Sequence, residues 1–74
     1  MQDEIESIEK EIADFEKEQA SVVASIKSLQ ARENPMKGVF FAEEIHSAKQ
    51  EKLRLDFEIQ FRKNKINRIR FGGE

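Results

Sequence analysis

The residues Ile5, Ile8, Ile12, Phe15, Gln19, Val22, Ile26 and Leu29 follow one another at steps of three and four without a break, and all but Gln19 are apolar. That alternation averages 3.5 residues, so on a helix these side chains stack into one narrow stripe, the pattern of a coiled-coil seam. A stripe of that kind is stable only against another helix. No Gly or Pro interrupts residues 3–32, and their Ala, Glu, Lys, Gln and Ile content favours the helix that the spacing predicts there. Asp3 and Glu6 have the spacing of a capping pair, and the acidic first turn suits the positive end of a helix dipole. Gln19, the polar member of the seam, is expected to set the register of the packed helices at some cost in stability.

Asn34, Pro35 and Gly38 end this helix, because Pro35 lacks an amide donor and pushes Asn34 out of helical geometry. A turn is therefore expected over residues 33–38. Residues 39–71 are again free of Gly and Pro, and Gly72 and Gly73 supply a stop after Arg68 and Arg70, cations placed to meet a helix's negative end. Within this span Phe41, Ile45, Ala48, Lys52, Leu55, Ile59, Arg62, Ile66 and Ile69 repeat the three-four stepping. Antiparallel pairing sets Leu29 opposite Phe41, Ile26 opposite Ile45, Phe15 opposite Leu55, Ile12 opposite Ile59 and Ile5 opposite Ile66, and needs only the short turn to close. It also brings Glu6 and Glu9 towards Lys65 and Arg62. Each exposed ion pair of that kind contributes only ~0–1 kcal/mol, yet a parallel arrangement would set the acidic ends together. The expected fold is all-α: one domain over residues 1–74, an antiparallel two-helix coiled-coil hairpin that dimerises into a four-helix bundle.

A second reading competes over part of the chain. Leu53, Leu55, Phe57, Ile59 and Phe61 alternate with Arg54, Asp56, Glu58, Gln60 and Arg62, the period-two signature of a half-buried strand. A turn at Lys63, Asn64 and Lys65 would then give a long helix, a short helix and a C-terminal β-hairpin. The missing turn glycine and the Leu, Glu, Lys and Arg content favour the helix instead.

With 74 residues and no cysteine, the chain has a small core and nothing to staple it. A domain of this length buries only about 60% of the surface its unfolded chain exposes, which makes self-association the expected remedy. The formal net charge is -2, but acidic residues crowd the first quarter and Arg62, Lys63, Lys65, Arg68 and Arg70 crowd the end. No apolar run approaches the roughly 18 residues of a membrane span, and the acidic start does not resemble a secretion signal, so a cytoplasmic protein is expected.

Chemistry-bearing groupings are few. Glu43 and His46 form a Glu-x-x-His step of the sort used in di-iron bundles, but the facing residues in the proposed register are Ser25 and Ser28, with no carboxylate to complete a site. No acid/base pair, nucleophile set or cofactor loop stands out, so neither an enzyme nor a cofactor is expected. Leu53, Phe57 and Phe61 are different. On a helix they lie about half a turn from Leu55, Ile59 and Ile66, so the second helix carries two apolar faces, and the outer one is the expected dimer or partner interface. A stripe of small residues on the first helix, Ala13, Ala20, Ala24 and Ala31, would admit a close neighbour. Arg62, Lys63, Lys65, Arg68 and Arg70, interleaved with Phe61, Ile66, Ile69 and Phe71, are the candidate contacts for anions or nucleic acid. Dipole complementation and pairing with the acidic start account for the same charges without a ligand.

The plan is similar to that of the small two-helix hairpins that dimerise into four-helix RNA-binding regulators of plasmid copy number, a likeness of architecture with no shared motif. The function expected from these features is a non-catalytic interaction or regulatory protein, a small inhibitor or adaptor such as phages and mobile elements encode, acting on another protein. The alternative is a nucleic-acid-binding regulator that uses the basic C-terminal segment.

Overall fold

The computed structural model describes residues 2–72 and consists of two long helices, α1 (Gln2–Arg32) and α2 (Ala42–Arg70), joined by a loop that holds a 3-10 turn at Pro35–Lys37. They lie side by side as a helical hairpin measuring 57 × 20 × 12 Å. The antiparallel sense is plain from the packing. Ile5, Ile8 and Ile12 of α1 form one buried cluster with Ile59 and Ile66 of α2, flanked by the half-buried Phe15 and Ile69, while Asn34 and Val39 pair at the opposite end. Every seam position from Ile5 to Leu29 and from Phe41 to Ile69 is buried or half-buried, so the 3.5-residue stripes are the faces that meet. Leu55 alone is fully enclosed, at 0% exposure.

The core is uneven along its length. The Ile cluster fills the open end of the hairpin, and Ile26 and Ile45 are buried towards the turn. Between them lies a polar layer, where Gln19 Nε2 donates to Asp56 and Lys52 Nζ meets the other oxygen of that carboxylate at 3.3 Å. Gln19 therefore stands half-buried in the seam with a partner for its amide.

Three sequence expectations need correction. α2 begins at Ala42 and not at residue 39, because the preceding backbone is committed elsewhere. Asn34 N–H donates to the Val39 carbonyl at 2.8 Å, Val39 N–H donates back at 2.9 Å, and the Phe41 N–H is taken by Glu33 Oε2 at 3.0 Å. Asn34 also accepts from the Lys37 N–H through its side chain, and Gly38 closes the turn at φ 69°, a left-handed conformation that suits glycine. The β-hairpin alternative is overturned: residues 53–70 are helical throughout, and no strand occurs among the described residues beyond the single Asn34–Val39 bridge. Wound as a helix, the alternating stretch sends Leu55 and Ile59 into the core and Leu53, Phe57 and Phe61 outward. Asp3 lies within the first turn of α1 and does not cap it. Gly72, with φ 85°, follows α2 as expected, and Phe71 N–H closes its end on the Asn67 carbonyl at 2.9 Å. Gly73 lies outside the described residues.

Candidate interaction surface

At about 100° per residue, Phe57 sits roughly 160° from both Leu55 and Ile59, so α2 turns its second apolar stripe directly away from α1. Leu53, Phe57 and Phe61 are 68%, 71% and 52% exposed. They come together as expected, at successive turns of one face. The same face continues to Phe71, which is 79% exposed, and a further exposed aromatic, Phe40 at 60%, stands just before α2. Neither was singled out as an interface residue from sequence. The spacing of Phe57, Phe61, Asn64, Arg68 and Phe71 at steps of four and three was the signal for Phe71; Phe40 belongs to the loop, where periodicity gives no guidance.

The basic segment divides into two groups. Arg62 lies in the seam, half-buried, with its guanidinium 4.4 Å from the centre of the Phe15 ring, its Nε 2.7 Å from Glu11 and its Nη1 2.7 Å from Glu58. The hydrogen bond to Glu11, then that to Glu58, raises its pKa further above the ordinary arginine value. Arg70 reaches Glu9 at 3.4 Å. The acidic start and the basic end thus do pair across the hairpin, but Glu11 takes Arg62 and Glu9 takes Arg70, in place of the expected partners. Lys63, Lys65 and Arg68 are exposed and make no ion pair among the described residues. Lys63 and Lys65 lie roughly 160° apart around α2, so these three cations are not gathered on one plane.

On the flank of the apolar stripe, Arg54 forms a bidentate pair with Glu51 at 2.8 and 2.9 Å and approaches Glu58 at 3.8 Å. The Arg54 hydrogen bond holds the Glu51 carboxyl below its ordinary pKa of 4.5. A carboxyl depressed on folding contributes stability above its unfolded value, and that contribution is lost as the pH falls through the lowered folded value. His46 is exposed and 3.3 Å from the Gln50 amide. Among the described residues no three of His, Cys, Asp and Glu are grouped as a metal ion would need, and no helix is long and apolar enough to cross a membrane. Ala13, Ala20, Ala24 and Ala31 are exposed along α1. No protein-family model, curated protein or solved structure gives a significant match to the chain.

Proposed function

We propose that this protein is a non-catalytic protein–protein interaction module, a small regulator of the inhibitor or adaptor type, whose working form is a homodimer. The observation that carries the reading is the outward stripe of Leu53, Phe57 and Phe61. Burying one such side chain stabilises by ~1.5–3 kcal/mol, a large sum for a hairpin whose own core is a single seam. Dimerisation through this face leaves the acidic outer surface of α1 in both copies facing outward, where a protein partner would meet it. The nucleic-acid alternative is less well supported, because Arg62 and Arg70 are already paired with Glu11 and Glu9 and the remaining cations point to different sides.

Sedimentation and thermal denaturation across a concentration series test the proposal. The wild-type chain is expected to dimerise, with a melting temperature that rises with concentration. The double substitution Phe57→Ser and Phe61→Ser should yield a helical monomer whose melting no longer depends on concentration. A wild-type monomer of undiminished stability at every concentration would sink the reading. Tight DNA or RNA binding that falls by about 0.9 log units per log unit of salt for each phosphate contact would promote the alternative.

A further inference from the structure

We infer that the second copy packs antiparallel on the outer face of α2, about a twofold axis at Phe57, so that the four helices lie in a row, α1–α2–α2–α1, and not around a square. The inference rests on the homodimer proposed above and specifies its interface.

The row follows from the angle between the two apolar faces. Leu53, Phe57 and Phe61 look away from the seam by nearly half a turn, so a partner centred on them sits on the far side of α2 from α1 and cannot reach α1's own flank. A square bundle would need the second face at about a right angle to the first.

The antiparallel sense follows from charge. Glu43 and the Glu51–Arg54 pair border one flank of the stripe in the first half of α2, and Glu58, Lys65 and Arg68 border the same flank in the second half, so the first half is net acidic and the second net basic. An antiparallel dyad brings like flanks together with opposite direction, so the net acidic half of each copy faces the net basic half of the other. With Phe57 level with itself, Leu53 lies opposite Phe61, Gln50 opposite Asn64 and His46 opposite Arg68, and Glu43 comes within one turn of Arg68. Parallel packing sets Glu43 beside Glu43 and Arg68 beside Arg68, and aligns the two helix dipoles unfavourably.

Coverage points the same way. The same dyad places Phe71 of each copy level with Glu43 of the other, within about one helical turn of the exposed Phe40. One symmetry operation therefore accounts for the central apolar stripe and for the exposed aromatics at both ends of α2, with the polar pairs Gln50–Asn64 and His46–Arg68 between them. A parallel dimer leaves Phe40 next to its own equivalent and away from Phe71.

The chain has no cysteine, so an introduced one is the only thiol present. Gln50→Cys and Asn64→Cys variants, each checked for helix content by circular dichroism, are incubated separately and as a mixture in a glutathione redox buffer. The expected result is a disulfide-linked dimer holding one of each variant in the mixture, at least tenfold above the dimer from either alone. Self-linked dimers of the separate variants would overturn the antiparallel arrangement. So would the absence of any cross-link in a chain that sediments as a dimer, and in both cases the homodimer itself would survive. A chain that sediments as a monomer would overturn this inference and the proposed function together.

Discussion

Arg62 occupies a place in the seam where the three-four stepping calls for an apolar side chain, and it serves there because its stem and planar head cover Phe15 while its charge is met by Glu11 and Glu58. A cation over an aromatic face contributes ~0.5–1 kcal/mol, and a partly exposed ion pair ~0–1 kcal/mol. Arg62→Ala should therefore lower the stability of the fold by about 1–2 kcal/mol in urea denaturation, and Arg62→Lys should restore only part of it, since lysine lacks the fork that meets two carboxylates at once. An unchanged midpoint for Arg62→Ala would mean that Phe15 is held by its aliphatic neighbours alone. The exposed Arg54–Glu51 pair is the contrasting case: its geometry is as good, but both groups stand in water, and its contribution disappears once acid protonates Glu51.

The loop between the helices shows how short-range bonding sets the limits of an element. Gly38 adopts φ 69°, and a Cβ placed there would meet nothing within 4 Å, so Gly38→Ala should cost only the left-handed backbone strain of roughly 1–2 kcal/mol, measurable as a lower melting temperature with an unchanged helical spectrum. The seams were legible residue by residue, since the positions from Ile5 to Leu29 and from Phe41 to Ile69 are the ones shielded from water. The start of α2 was not, because Val39 and Phe41 are held out of the helix by Asn34 and Glu33, partners that propensity does not register. The strand reading of residues 53–61 failed for a related reason. Period two and period 3.6 both put residues four apart on one face and differ over residues two apart, and the packing of Leu55 and Ile59 against α1, with Leu53, Phe57 and Phe61 outward, decides between them. The outward stripe was legible once a helix was assumed. The ion-pair partners were not, because an arginine reaches a full turn either way along the facing helix.

At the scale of the whole molecule, the hairpin has its best packing farthest from its turn. Ile5, Ile8 and Ile12 meet Ile59 and Ile66 across more than forty intervening residues, whereas the turn joins Asn34 to Val39 over a handful. A hairpin that closed like a zipper from its turn would pass Ile26 and Ile45, cross the polar Gln19–Asp56 layer and reach its strongest contacts last, and bringing such remote residues together makes this the slow part of folding. Once made, those contacts are the last to open. Amide exchange should accordingly be slowest at Ile8, Ile12, Ile59 and Ile66 and faster beside the turn; the reverse order would show that local closure governs opening. The two ends of the described chain are thus its keystone, where most small domains have their loosest residues, and trimming α1 back to Ile12 should unfold the hairpin outright.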